Sequence, residues 1–470
     1  MNLPYDITSR DSILEYAQTL LGKALHDLYA KATPLNSGKG KMGHSVEKYH
    51  FLYEPNSEAE PDFQEAGIEL KCTPLDIKSD GSMLSGERLV LNIIDYVKEA
   101  QASFDSSSFW HKNQLLLLMF YLRERNKDCL DQIFKIIRLW HFPEVDLKII
   151  RDDWNKLHEK MLNGRAHEIS EGDTLFLGAC TKGSVAGADM RVQYVEGAPR
   201  AQQRAYSIKS RYLNTIILES LSHPKMYSEV FVSKAYRRKI QQTLQQASSI
   251  VKSIDEYKNG ETFEQLVERR FKPYYGKTIY EIEQMTKVRV SSSPKAISNS
   301  VIHAILGVKT PKIREFEIAN LQQKSIRLEP NGHLKESMVF SQIDYMGIVK
   351  EKDWEESVWY QTLTQRFLFV VFRKDTSGDN KMAVLENVFF WTMPVDDLKV
   401  AECFWNDTKE KIQKGDFEHF WRLGDHNICH VRPKAQNSQD KMMTPSGIWV
   451  TKKGYWLNAE YILDIVNNHV

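Results

Sequence analysis

The stretch EPDFQEAGIELKCTP, Glu60 to Pro74, sets Asp62 behind a proline and follows it seven residues later with Glu69-Leu70-Lys71. In an extended chain successive side chains alternate between faces. Glu69 and Lys71 therefore share one face, while Ile68 and Leu70 turn toward a core. The intervening residues are enough for a hairpin that returns Asp62 beside Glu69. Two carboxylates and a backbone carbonyl, that of Leu70, suit a hard cation such as Mg²⁺, which takes one or two carboxylates together with substrate phosphate oxygens. An ammonium alongside orients a water or offsets developing charge. The other reading is a strand end carrying ordinary solvated charges. Spacing by itself does not choose, because an aspartate, a loose gap and Glu-x-Lys recur by chance. The chain has no H-E-x-x-H, no G-x-x-x-x-G-K-[ST] phosphate loop and no G-x-S-x-G nucleophile elbow.

The elements that must position these charges are visible as patterns. Asp11 to Ala30 carries apolar residues at helical spacing, with Asp11 or Ser12 as the expected cap, and Gly43 to Tyr53 also suits a helix. Gly67 to Cys72, Leu89 to Ile94 and Gln114 to Leu122 read as apolar strands, and Asp152 to Asn163 as an amphipathic helix closed by Gly164. Strands among helices in this irregular order predict an α/β fold of the α+β kind, a mixed sheet with helices on its faces.

A chain of 470 residues is longer than one core usually organises. Hydrophobic residues at 42% and charged residues at 27% are an ordinary globular mixture, and the net charge is +1. A nucleic-acid partner would thus need basic residues gathered on one surface. Cys72, Cys129, Cys180, Cys403 and Cys429 are scattered without a C-x-x-C pair, which argues against a disulfide framework or structural zinc and for inert thiols in a reducing cytoplasm. No secretory signal or membrane span is expected: the N-terminus lacks an apolar core, and the run from Leu115 to Tyr121 is too short to cross a bilayer. Trp154 and Trp405 read as core.

The chain also repeats itself. ERLVLNIIDY from Glu87 matches ESMVFSQIDY from Glu336, and WNKLHEKMLNG from Trp154 matches WNDTKEKIQKG from Trp405. LGKALHDLY from Leu21 resembles YGKTIYEIE from Tyr275, and ACTK from Ala179 faces VRPK from Val431. The four matches are collinear, with offsets between 249 and 254 residues. They predict two copies of one domain, at residues 1–240 and 263–470, joined by a polar linker at 241–262.

These segments resemble the MutH-like endonucleases, and within them the longer GATC-cutting type II restriction enzymes in which two such domains are fused and only the first cleaves. The likeness runs through KGKMGHSVEKY from Lys39, the opening stretch, GERLVLNIIDY, SSFWHKN, DDWNKLHEKMLNGRAHEIS, ACTKG and QRAYSIKSRYL. It implies a tandem PD-(D/E)xK nuclease fold with a degenerate second copy. It implies that Asp62, Glu69 and Lys71 form the catalytic set, that Glu47 reaches the metal from the preceding helix, and that Lys112 approaches from another strand. Lys39, Lys182, Arg204, Ser207, Lys209 and Arg211 fall in DNA-facing segments of the family. Ser207 stands where the mismatch-repair members carry a tyrosine that senses adenine methylation, which implies weak dependence on methylation. In the second copy Ile302 faces Glu47, and QQKSIRLEP offers Ser325 and Arg327 for Glu-x-Lys, with Glu317 before it. CHVRPKAQN keeps the basic segment, with Arg432 and Lys434.

The resemblance further implies a cytosolic bacterial enzyme using Mg²⁺, with Mn²⁺ as substitute. It would cut duplex DNA before the G of GATC to leave 5′ overhangs, self-associate on DNA, respond to a second bound site and accompany an adenine or cytosine methyltransferase. A mismatch-repair nicking enzyme and a non-catalytic protein that bridges DNA sites are the alternatives.

Overall fold

The structure is a computed structural model, and it describes residues 3–35, 40–56, 59–79, 81–182, 189–227, 234–291, 293, 296–355 and 357–469. The chain divides into two compact units. The first takes Met1–Ile169, Thr174–Lys258 and Thr310–Asn320; the second takes Ser170–Asp173, Asn259–Lys309 and Leu321–Val470.

In the first unit, α1 (Arg10–Gln18) is capped by Ser9, whose hydroxyl accepts the Ser12 N–H, one turn earlier than expected. The helix ends well before Ala30 because Gly22 adopts a positive φ of 81° and turns the chain. The second expected helix also divides: α2 (Lys41–Ser45) runs into a single wide turn, Val46–His50, whose closing bond joins the Phe51 N–H to the Val46 carbonyl. Such wide turns splay a helix and re-aim its side chains.

Five strands follow from β1 (Glu69–Ile77), β2 (Met83–Ser85) and β3 (Leu89–Ile93) through α3 (Ser108–Asn113) to β4 (Leu116–Leu122) and β5 (Phe134–Trp140). Then come α4 (Glu144–Leu162), β6 (Leu177–Thr181), β7 (Arg204–Ile208) and α5 (Ser210–Leu221). One sheet has the order β2-β1-β4-β5, with β1 parallel to β4 and the other pairs antiparallel. The other is the antiparallel sheet β3-β7-β6. The mixed α/β fold read from the sequence is therefore present. β4 is central and buried on both faces, which explains its unbroken run Leu116 to Phe120. Ile13, Ala17, Val46 and Phe51 pack with Ile68, Leu70, Leu117 and Met119 into the core behind β1. This core pins β1 and the wide turn in one frame.

The second unit contains α6 (Ile297–Leu306), β8 (Gln322–Leu328), β9 (Met338–Gln342), α7 (Val358–Leu363), β10 (Phe367–Arg373) and β11 (Val384–Trp391). It continues with α8 (Val395–Lys414), β12 (Cys429–Pro433), β13 (Lys453–Leu457) and α9 (Ala459–Asn467). Its sheets, β8-β10-β11 and β9-β13-β12, repeat the strand directions of the first unit. The registers agree as well. Glu69 faces Leu116, which faces Trp140; Gln322 faces Phe367, which faces Trp391. Leu89 and Leu177 both face Ile208; Met338 and Cys429 both face Leu457.

This ladder corrects one expectation. The residues standing on the rungs of Glu69 and Lys71 are Gln322 and Lys324, not Ser325 and Arg327. Ser325 is offset by an odd number of residues and turns to the opposite face. Glu317 lies on the short helix Arg314–Ala319 and pairs with Lys312. Among the described residues no helix is long and apolar enough to cross a membrane, and all five cysteines are free.

Candidate active site

Asp62 and Glu69 are brought together by a tight hairpin. Phe63 and Ile68 exchange backbone bonds at 2.9 and 3.1 Å, and Gly67 closes the turn with a φ of 67° that a side chain would oppose. The Asp62 N–H donates to Glu69 Oε2 at 3.2 Å, and the Leu70 N–H donates to Asp62 Oδ2 at 2.8 Å. Lys71 Nζ donates to Glu69 Oε1 at 2.6 Å, and Lys112 Nζ lies 3.8 Å from the same oxygen. Glu69 is only 2% exposed. These are not freely solvated strand-end charges: Glu69 is buried, and Asp62, Lys71 and Lys112 are half-buried around it.

Lys112 arrives from the last turn of α3, not from a strand. The helix is held by its Ser107 cap, by the Ser108 N–H on buried Glu99, and by Asn113, whose amide donates to Asn92 Oδ1 and to the Phe109 carbonyl. Glu47 projects from the wide turn. Burial pushes its carboxyl up to about 7; Asp62 and Glu69 add to the rise, while Lys71 and Lys112 oppose it. Glu69 is likewise pushed up to about 7, by burial first and by Asp62, against the pull of Lys71.

Tyr53 is a member that sequence reasoning missed. Its hydroxyl is buried without a hydrogen-bond partner, and its phenol is raised by burial and by Asp62, Glu47 and Glu69. Only its place six residues past Glu47, with its N–H on the Glu47 carbonyl, ties it to the site. Three neighbouring carboxyl groups, two of them raised by burial, and an orphaned hydroxyl are the donors a hard divalent cation takes. Among the described residues no three such side chains already converge on one point. Glu69 spends its oxygens on Lys71 and the Asp62 N–H, and Asp62 turns to the Leu70 N–H.

The DNA-facing candidates divide. Lys39 lies outside the described residues. Lys182 is half-buried just past β6, its N–H on the Gln203 carbonyl. Arg204 is half-buried with one guanidinium nitrogen on the Ala179 carbonyl, and Arg211 is exposed at the start of α5. Ser207 and Lys209 turn inward. Ser207 is fully buried on the central strand β7, and Lys209 folds inward so that Nζ donates to the Thr174 carbonyl at 2.6 Å. In the second unit Arg432 is exposed, with its guanidinium 5.1 Å from the Trp456 ring, and Lys434 donates to the Phe340 carbonyl at 2.5 Å.

The family model for the DNA mismatch repair enzyme MutH matches residues 51–153. That span holds Asp62, Glu69, Lys71 and Lys112 and stops short of Glu47. Nearly the whole chain is similar to the type II restriction enzyme Sau3AI of Staphylococcus aureus, at 29% identity over 97% of each chain. The DNA mismatch repair proteins MutH of Shewanella woodyi and Shewanella amazonensis are 24% and 26% identical over 36% of this chain and 74% and 76% of their own length. The acid–lysine cluster on β1, the match across it and the similarity along nearly the full length together support a MutH-like endonuclease.

Proposed function

We propose that the chain is a type II restriction endonuclease that hydrolyses double-stranded DNA at GATC with Mg²⁺, for which Mn²⁺ substitutes. The observation that carries this reading is the clustering of Asp62, Lys71, Glu47 and Lys112 about the buried Glu69. The chain-long likeness to a type II restriction enzyme supports it.

The Asp62 and Glu69 carboxylates, Glu47 and the Leu70 carbonyl would hold the cation. Bound there, a divalent cation supplies Lewis acidity toward a phosphoryl oxygen and counter-charge for the transition state. Lys71 orients the attacking water, and its contact with Glu69 aims the ammonium along β1. Lys112 offsets charge that grows on the phosphate. Burial strengthens each of these interactions relative to water. The cluster thus contains the parts for phosphodiester hydrolysis.

The second unit carries Gln322 on the rung of Glu69, and Ile302 aligns with Glu47. We read it as a degenerate copy that binds DNA without cutting and stimulates the first. One cleaving centre per chain then requires self-association on DNA, or two successive cuts, to sever both strands. Cutting before the G, with 5′ overhangs and indifference to adenine methylation, completes the reading, as do a cytosolic location and a companion methyltransferase.

The test is digestion of a plasmid with two GATC sites in Mg²⁺, beside one-site, adenine-methylated and Glu69→Ala controls. Fragments ending at GATC, faster from two sites and absent with the variant, are the expected result. Nicks confined to one strand of hemimethylated sites would favour a mismatch-repair enzyme. No cleavage in Mg²⁺ or Mn²⁺ would favour a DNA-bridging protein.

A further inference from the structure

The rungs of the second unit keep one catalytic residue type and lose the other. Lys324 stands where Lys71 stands, while Gln322 replaces Glu69. The carboxylate that holds the Lys71 ammonium at 2.6 Å therefore has no counterpart beside Lys324. A second lysine, Lys434, reaches the same strand. Lys434 follows β12 as Lys182 follows β6, and even the backbone bond repeats: the Lys182 N–H donates to the Gln203 carbonyl and the Lys434 N–H to the Lys452 carbonyl, each at 2.8 Å.

Both ammonium groups hang on adjacent residues of β9. Lys324 Nζ lies 3.5 Å from the Val339 carbonyl oxygen and 4.6 Å from the centre of the Phe340 ring; Lys434 Nζ donates to the Phe340 carbonyl. Among the described residues no carboxylate forms an ion pair with either. Burial and the proximity of Lys434 lower the Lys324 ammonium from its ordinary value, and burial lowers Lys434. Two like charges half out of water, satisfied by carbonyls and an aromatic face alone, are costly until an anion joins them. Lysine is a point-charge binder of phosphate, and the glutamate whose charge would repel one is an amide here.

We infer that the second unit grips a DNA backbone phosphate between Lys324 and Lys434, using the remnant of a catalytic centre as an anchor. This rests on the reading of the second unit as a DNA-binding copy. It also explains how such a copy binds without cutting: the lysine that would serve hydrolysis remains, and the acid that would hold a cation is gone.

The experiment uses the full-length chain carrying Glu69→Ala, titrated with a short duplex containing GATC. Stoichiometry is read by sedimentation, and affinity against KCl concentration by fluorescence anisotropy. Two duplexes per chain are expected. Adding Lys324→Met and Lys434→Met should weaken one of the two sites tenfold or more and flatten its log–log salt dependence by about 1, the loss of one neutralised phosphate. Lys324→Arg with Lys434→Arg, which keeps both charges, should restore the site and so separates charge from a folding defect. Two duplexes bound by the methionine variant with an unchanged salt slope would overturn the anchor. So would a single duplex bound by the Glu69→Ala chain and unaffected by the lysine changes; in both cases the nuclease reading stands. A Glu69→Ala chain that binds no duplex at all would overturn the nuclease reading with it.

Discussion

Lys71 Nζ lies 2.6 Å from Glu69 Oε1, and Lys112 Nζ approaches that same oxygen to 3.8 Å, so one buried acid organises both cations of the cleft. Lys71→Met should lower single-turnover cleavage by about 10³-fold, on the scale of losing a preorganised transition-state donor. Lys112→Met, farther away, should cost about tenfold to a hundredfold. Duplex binding by either variant should stay within threefold. Loss of binding in parallel with cleavage would show that these lysines hold DNA rather than act on it.

His50 closes the wide turn that carries Glu47, and it is built in as a neutral imidazole. Its Nε2–H donates to the Tyr16 carbonyl at 3.2 Å and its Nδ1 accepts from the Tyr29 hydroxyl at 2.9 Å. Burial lowers its pKa from the usual value near 6.5 to about 4, with the Tyr16 carbonyl opposing. The folded value is depressed, so this contribution to stability is complete above pH 6.5 and is lost as pH falls toward 4. The loss approaches about 3 kcal/mol. Urea unfolding of wild type and His50→Gln at pH 7.5 and 4.5 isolates it: the difference between the two proteins should shrink on acidification. A difference independent of pH would mean that folding leaves the His50 imidazole unshifted.

Ser207 is buried on β7 with its hydroxyl lacking a partner. Ser207→Ala should therefore leave cleavage and its response to adenine methylation unchanged, and raise stability by up to about 1 kcal/mol. Ser207→Tyr overfills a sealed position and should cost about 2 kcal/mol. Thermal unfolding and digestion of methylated and unmethylated plasmid measure both. A changed methylation response in Ser207→Ala would mean that this strand opens to DNA.

Arg314 makes a two-pronged pair with Asp146 on α4 at 2.7 and 2.8 Å, and the Tyr212 hydroxyl donates to the same carboxylate at 2.9 Å. Asp146 is 2% exposed. Removing it strands a guanidinium and a buried phenol, so Asp146→Leu should destabilise the first unit by about 3 kcal/mol or more, while Asp146→Leu combined with Arg314→Met recovers much of that. Denaturant midpoints of the single and double variants check this. Equal losses in the two would place the cost in packing rather than charge.

What the sequence determined by itself was local. Asp62 returns to Glu69 because a short hairpin ending in glycine needs only neighbours to form, and Glu69 shares a face with Lys71 because strand side chains alternate. The apolar run from Gln114 to Leu122 likewise announced a strand, realised as β4. The tertiary structure decided what depends on segments meeting across long separations. It buried Glu69, raising its carboxyl and that of Glu47, and brought Tyr53 and the helical Lys112 to the same acids. It turned Ser207 and Lys209 inward although their neighbours Arg204 and Arg211 look like a basic face. It also set the ladder in which Gln322 and Lys324, rather than Ser325 and Arg327, answer Glu69 and Lys71. A slip of one residue reverses every side chain of a strand. Only the partner strand, held by its own core, chooses the rung.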